Sequence, residues 1–588
     1  MHRRKFFHAT VATLTSTVAL GKVLTKGEKQ SFSKRSPIKL SASHIKAVNR
    51  RRRVVKNFDV LLVDPDKYSS IHEIIRDRFS FIDDPSSCID SIWWNWGEGN
   101  LVPYPSKFLP TYNQPAFQRW IQEGTDIVKI FQDETRKRGL EVFFSHRMNG
   151  SDNDPQFVPG RGTFIDDMDR LNPVPLKQKH PEWLISVPWH DNGFWNYAVK
   201  GVRDYVLRKM EEIASDYDFD GIELDFARMG IVLPPGQAWE NRALLTELIR
   251  NIRIMTLEKE QQRGRPFLIA VRVPENLVGC QFEGMDVATW IQEQLIDIIV
   301  LGCRNFEVDV LAFRHLTADL PIKIFCAMDD HHSSDGYCVP PIEVLRGVWS
   351  NWYRQGTDGI QTFNFKYAPD PGELHWPLHQ TAYREMGSPD TIRYLDKTFV
   401  IQRRGGGHGP SVLPNPENWS TPRLFYSNTN MLASLPVALE NDGEADTLLT
   451  LYVGDDLNNA EKKVLDINLR VLLNDLSTEE LPPKQKLSPV LVREWMVPKR
   501  EGGPGPAPFW TSGLLPRIES SIEVRINNSL LKKVQFKRGW LEYDVRVKQL
   551  ALGSNLLGIR VIDRHKKIRQ KILIEKVELS VRYNPKAS

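Results

Sequence analysis

Phe219-Asp220-Gly221-Ile222-Glu223-Leu224-Asp225-Phe226-Ala227-Arg228 alternates acidic and apolar side chains with a period of two from Ile222 to Phe226. Successive side chains of a strand point to opposite faces, so Glu223 and Asp225 share one face and Ile222, Leu224 and Phe226 the other. The apolar face packs on helices, which turns both carboxylates toward an enclosed interior. Outward from this segment one rhythm recurs: a β-rich run, polar punctuation, then a stretch of helical period. Runs of strand character cover residues 60–63, 89–94, 140–144, 221–226, 267–273, 296–301, 322–326 and 359–365. Helical stretches cover 115–138, 197–214, 239–262, 287–294 and 341–355, with shorter ones at 71–78 and 310–316. Eight strands alternating with helices predict an α/β fold, a closed (β/α)8 TIM barrel, over residues 57–370. Residues 371–420 read as a linker. Short alternating strands without helices (447–453, 522–526, 541–547, 572–581) then predict an all-β sandwich over 421–588.

With 588 residues, 41% hydrophobic and 26% charged, the chain can bury a large core, and no run reaches the roughly 20 apolar residues of a membrane-spanning helix. Its net charge of +5 is unevenly placed. Residues 21–56 hold twelve Lys or Arg against the single acid Glu28, so the rest of the chain is net acidic. A duplex-binding protein carries its basic charge on the folded body, which argues against nucleic acid as a partner. Arg3-Arg4-Lys5-Phe6-Phe7 ahead of the weakly apolar residues 9–20 resembles a twin-arginine export signal, implying a periplasmic or extracellular address, with 21–56 as a basic linker. Five cysteines (Cys88, Cys280, Cys303, Cys326, Cys338) without a C-x-x-C spacing exclude a disulfide scaffold.

A barrel of this kind builds its active site at the C-terminal ends of its strands. That rule selects Trp94 and Trp96, His146 and Arg147, Glu223, Asp225 and Arg228, Arg272 and Glu275, Cys303 and Arg304, Asp329, Asp330 and His331, and Asn364 and Lys366. Glu223 and Asp225 each read either as catalytic carboxylates or as buried partners of Arg272 or Lys366. Trp93, Trp94 and Trp96, with Trp183, Trp189 and Trp195 in the long loop at 150–196, offer flat faces suited to sugar rings. Trp120, Trp239, Trp290, Trp349 and Trp352 fall in helical stretches and read as packing residues.

The Asp-Gly-x-x-x-Asp segment at 220–225, with the strand order, resembles the barrel glycoside hydrolases and glycosyl-hydrolase-like families. In the chitinase-like family 18 frame, Asp220, Glu223 and Asp225 match and Ala227 stands where the catalytic Glu belongs. In the α-amylase-like frame, Asp225 matches the nucleophile, Glu275 the acid after the fifth strand, and Asp329 or Asp330 the Asp after the seventh. Glu223 replaces the Arg that precedes that nucleophile. Residues 539–545 and 553–559 resemble late strands of galactose-binding-like jelly rolls.

Glycosidic cleavage needs one carboxyl that donates a proton and one ionised carboxylate. Asp225 is the candidate for the ionised role. Glu275 is the first candidate for the acid and Asp330 the second, Asp330 reading equally as a ligand of sugar hydroxyls. Trp94, Trp96, His146, Arg147, Arg228, Arg272, Asp329, Asn364 and Lys366 are the candidate substrate contacts. No phosphate-binding loop, zincin motif or dinucleotide fingerprint occurs, and adjacent Asp329-Asp330-His331-His332 lacks zinc spacing. No cofactor or metal is therefore expected. The expectation is an exported glycosidase acting on a poly- or oligosaccharide, its rival a non-catalytic carbohydrate-binding barrel, and the oligomeric state stays open. Arginines near the mouth hint at an anionic glycan. If Arg3-Arg4 is read by an export receptor, changing both to Lys traps the protein in the cytoplasm, measured by cell fractionation; unchanged export removes that address.

Overall fold

The computed structural model describes residues 35–60, 70–96, 101–111, 115–149, 176–187, 190–228, 230–302, 305–329, 336–337, 340–363, 365, 376–404, 433–440, 443–493, 509–565 and 567–584. Eight parallel strands close into a barrel: β1 Val54–Asp59, β2 Ile89–Asn95, β3 Glu141–Arg147, β4 Gly221–Asp225, β5 Leu268–Val273, β6 Ile298–Leu301, β7 Lys323–Met328 and β8 Gly359–Thr362. Each pairs with its neighbours in sequence, and β8 returns to β1 through Val54 opposite Ile360.

The first strand corrects the sequence reading. It begins at Val54, ahead of the expected 60–63, of which 61–63 lie outside the described residues. The Arg50–Arg53 run hides this start, because a basic run reads as a solvated tail. Arg52 is instead buried, its guanidinium donating to both carboxylate oxygens of Glu141 on β3 at 2.6 and 2.7 Å. Arg53 pairs with Asp90 on β2. Part of the presumed linker is therefore barrel floor. The expected helix at 115–138 is two, Pro115–Gln122 and Ile127–Lys137, parted at Gly124 (φ 76°) with Asp126 capping the second through its side chain.

Two apolar layers surround the strands. The larger lies between strands and helices. The smaller fills the N-terminal end of the barrel, where Val55, Trp93, Phe143, Leu268, Ile298, Val300 and Phe325 pack with Val48 from the helix Ala42–Val48. With its lower half so filled, the barrel has room for polar chemistry only toward the C-terminal ends of the strands.

Among the described residues the sandwich forms a six-stranded and a four-stranded antiparallel sheet with a core of their own, beside a two-stranded ladder of Leu491–Arg493 with Phe509–Trp510. Its first strand, Lys397–Ile401, lies inside the stretch read as linker and pairs with Ile572–Tyr583. Against this strand packs the barrel helix Ile342–Gln355, where Gly347 permits the approach: a Cβ there would run into the carbonyl of Thr398. Asn351 of the same helix donates to Tyr452 O (3.2 Å) and accepts from Gly454 N (2.8 Å), tying the second sheet to the barrel.

The helix Ala42–Val48 is anchored by His44, which is buried and lies 2.5 Å from Glu260 and 2.9 Å from Asp297. Burial opposes charging this imidazole, but hydrogen bonds and charge from Asp297 and Glu260 outweigh it and raise its pKa above the usual 6.5. A raised folded-state pKa contributes stability that is complete below the unfolded value and lost as pH rises through the folded one. The wild type is therefore expected to lose more melting temperature than His44→Leu between about pH 6 and pH 9. Parallel profiles in a thermal-unfolding series would refute this anchor.

Candidate functional site

Strand alternation places Asn57 and Asp59 of β1, Ser145 and Arg147 of β3, Glu223 and Asp225 of β4, Arg272 of β5 and Gln361 of β8 inside the barrel. Register puts Ser145 opposite Glu223, and Asp225 opposite both Arg147 and Arg272. Above the apolar plug these side chains form two polar tiers.

In the lower tier Glu223 is fully buried. Its Oε2 accepts from Asn57 Nδ2 and Ser145 Oγ, both at 2.5 Å, and its Oε1 from Gln361 Nε2 at 2.8 Å. In the upper tier Arg272 grips Asp225 with two N–H groups, Nε to Oδ1 at 2.9 Å and Nη2 to Oδ2. Oδ1 of Asp225 also accepts the backbone N–H of Ala227 (3.0 Å) and Arg228 (3.1 Å). Across the barrel Arg147 Nη2 donates to both oxygens of Asp59 at 2.6 and 2.7 Å. The Phe363 ring lies beneath both guanidiniums, 3.8 Å from that of Arg272 and 5.1 Å from that of Arg147.

Two cations thus pair with two carboxylates, and Glu223 is left as the third carboxyl with no cation of its own among the described interior residues. Burial raises its pKa above the ordinary carboxyl value, with the Asp225 charge adding to the rise and the Arg272 charge and hydrogen bonds from Ser145 and Gln361 opposing it. A carboxyl with a raised pKa therefore sits directly beneath an ion-paired carboxylate.

Several expected contacts lie elsewhere. Trp94 faces outward, wedged against Phe131 (4.9 Å between centroids) and donating to Thr135 Oγ1 at 2.9 Å in the helix Ile127–Lys137. Trp96 packs on the same Phe131. The inward tryptophan of β2 is Trp93, part of the floor and stacked on Phe143. His146 also points to the helix layer, where burial and the Lys209 charge hold its pKa well below 6.5. The same alternation that separates Glu223 from Leu224 separates Trp93 from Trp94 and His146 from Arg147. Trp94, Trp96 and His146 are therefore corrected from substrate contacts to packing residues.

In the long loop, Leu184–Val187 and His190–Trp195 pair as a hairpin, Trp195 is buried against Tyr205, and Trp183 stacks on His180. Asp329 is buried at the end of β7, and Arg228 is buried after β4. Asp330, His331, Cys303, Arg304, Asn364, Lys366 and Trp189 lie outside the described residues.

Glu275 is buried beyond β5 and is not part of the Asp225 network among the described contacts; it lines a separate cavity of about 330 Å³ where the barrel meets the sandwich. Asn57, Asp59, Ser145, Gln361 and Phe363 complete the interior and were not singled out by motif. Alternation along Gly359, Gln361 and Phe363 was the available signal for the last two. No group of three or more His, Cys, Asp or Glu is arranged to hold a metal among the described residues.

No family model matches the chain, and no curated protein matches it. Solved structures do match. The PgaB (BpsB) glycoside hydrolase domain from Bordetella bronchiseptica is 13% identical, covering 58% of this chain and 99% of that one at a TM-score of 0.36. A glycoside hydrolase family 18 N-acetylglucosaminidase from Paenibacillus barengoltzii is 10% identical, covering 57% and 99% at 0.32. The catalytic domain of psychrophilic chitinase B from Arthrobacter TAD20 is 9% identical, covering 60% and 97% at 0.33. Superpositions this loose carry no residue across, and the fold assignment rests on the strand pairing itself.

Breaking a buried ion pair from one side leaves an uncompensated charge. Arg272→Met is accordingly expected to destabilise the protein by about 3–5 kcal/mol in urea unfolding, and adding Asp225→Leu to recover much of that loss. Glu223→Gln, a neutral mimic of the protonated acid, is expected to cost much less than Arg272→Met. Comparable losses for both would mean that Glu223 is ionised in the fold.

Proposed function

We propose that this chain is a glycoside hydrolase whose barrel mouth acts on a poly- or oligosaccharide, with Asp225 as the ionised carboxylate. The observation that carries this reading is the stacking of Glu223 and Asp225 at the C-terminal end of β4, the end where barrels of this class place their chemistry. Arg272 and two backbone N–H groups hold Asp225 in one orientation. Oδ1 is saturated by three donors, whereas Oδ2 accepts from Arg272 alone and keeps a lone pair for an attacking or water-activating role. Glu223 lies one tier deeper, and we assign it to setting the field around Asp225 and not to meeting the sugar.

The proton donor is then Glu275 or Asp330. Glu275 stands at the end of the strand that carries Arg272, and Asp330 follows the already buried Asp329. The hint of an anionic substrate weakens, because Arg147 and Arg272 are committed to Asp59 and Asp225. The sandwich is proposed to brace the barrel through the helix Ile342–Gln355, and the twin-arginine-like start to export the chain.

A second reading is favoured by one specific observation: Asp225 is 0% exposed and ion-paired. In that reading the pair is a strut and the barrel binds glycans without cleaving them. Release of reducing ends across a polysaccharide panel separates the two. Asp225→Asn keeps the shape and removes the charge, so turnover is expected to fall at least about a hundredfold in a protein that remains folded. Glu275→Gln is expected to be slow on natural glycans and far less impaired on aryl glycosides with activated leaving groups. If only Glu275 is dispensable, Asp330 takes the acid role. Wild-type turnover in Asp225→Asn, or no release from any polysaccharide, leaves the binding barrel as the better account.

A further inference from the structure

The cavity at the junction of barrel and sandwich is separate from the barrel interior. Its barrel wall comes from the segments after β5 and β6 and from the helix Ile342–Gln355; its sandwich wall includes Gln402, Thr450 and Tyr452. At about 330 Å³ it falls at the small end of the roughly 300–1,000 Å³ typical of sites for small organic ligands.

Its chemistry is specific. Among the described residues Glu275, Glu307 and Asp309 line it, and no Lys, Arg or His does. An anionic ligand would meet carboxyls on this described lining, of which burial pushes Glu307 up to about 7. The three carboxyls do not form a metal cluster among the described residues, and all three have other partners: Glu275 Oε1 accepts from Asn276 Nδ2 at 3.3 Å. Asp309 caps the helix Val310–Leu316 through Ala312 N at 3.1 Å, and Glu307 Oε1 accepts Gln402 N at 2.8 Å.

The telling residue is Asn305. It is 1% exposed and lines the cavity, yet both its amide nitrogen and its amide oxygen are buried without a hydrogen-bond partner among the described residues. Leaving such groups unmade is costly, so a partner is expected to fill this place in the working protein. That partner must accept from Nδ2–H and donate to Oδ1. A protonated amine donates but cannot accept; a hydroxyl does both. Phe306 and Tyr452 add aromatic surface suited to an apolar ring face.

We infer that this junction cavity is a second binding site, for a neutral polyhydroxylated ligand the size of a mono- or disaccharide, held by Asn305 and the surrounding carboxyls. It needs no turnover at Asp225, although Glu275, a candidate proton donor of the proposed reaction, belongs to its wall. A ligand there touches both domains at once and adds to the contacts through which they adhere.

The test uses the full chain carrying Asp225→Asn, so that any barrel turnover is suppressed. D-glucose, D-galactose, N-acetyl-D-glucosamine and cellobiose are titrated by saturation-transfer NMR and calorimetry, with ethanolamine and D-glucuronate as cationic and anionic comparators. At least one neutral sugar is expected to bind saturably, and Asn305→Leu to weaken it roughly tenfold. Thr450, exposed on its strand face, allows a second variant: Thr450→Trp fills the cavity from the sandwich side without disturbing a core, and is expected to abolish binding. Unchanged affinity in Thr450→Trp, tighter binding of either comparator, or no binding of any neutral sugar overturns the inference and leaves the cavity to water. Absence of reducing-end release by the wild-type chain, with these sugars still bound in the junction cavity, would instead count against the barrel's catalysis alone.

Discussion

The buried pair between Asp225 and Arg272 constrains everything around it. Two full charges at 0% exposure persist only if each finds the other in good geometry and the remaining lone pairs are satisfied. The barrel meets that condition by adjacency, because β4 and β5 place the two residues directly opposite one another. It adds two backbone N–H groups from the turn after β4 and the Phe363 ring beneath the guanidinium. A second pair, Asp59 with Arg147, repeats the arrangement across the barrel. Among these residues Glu223 is the carboxyl without a cation of its own, and burial raises its pKa.

That arrangement was partly legible in the sequence. The period-two pattern at 221–226 gives the facing of Glu223 and Asp225, and the partnership of Asp225 with Arg272 is one of the two readings it allows. The eight-strand rhythm gives the barrel, since strand and helix periods differ enough to separate. Asp59 was out of reach for a physical reason: the Arg50–Arg53 run looks solvated, and nothing local reveals that Arg52 has a buried acid waiting on β3. Trp94 and His146 illustrate the opposite error. Position at a strand end is a coarse guide, and parity along the strand decides which side of the wall a side chain occupies. Trp93 and Trp94 are neighbours in sequence and belong to different cores.

The sandwich was legible as strands but not as a partner. Its first strand, Lys397–Ile401, follows the barrel's last helix closely and carries no turn signature of its own. Only packing shows that Gly347 is small because Thr398 lies against it. Phe306 and Glu307 both donate their backbone N–H groups to Gln402 Oε1, while Glu307 accepts from Gln402 N. This reciprocal latch joins a barrel loop to the start of the sandwich through side-chain and backbone groups whose spacing in sequence, 95 and 96 residues, gives no local signal.

Both places where this molecule has chemistry to spare depend on β5. Arg272, its fifth residue, reaches into the barrel to hold Asp225; Glu275, three residues further on, lines the junction cavity. The chain between them is fixed: Gly302 N donates to Val273 O at 2.8 Å, and Asp309 N donates to Glu275 O at 3.0 Å. Groups carried at the end of a paired strand are positioned more rigidly than groups on a free loop. The Cβ of Glu275 accordingly lies beside Gly302, fixed by the same strand that carries Arg272. The barrel interior and the domain junction thus share one strand that is hydrogen-bonded to a neighbour on each side.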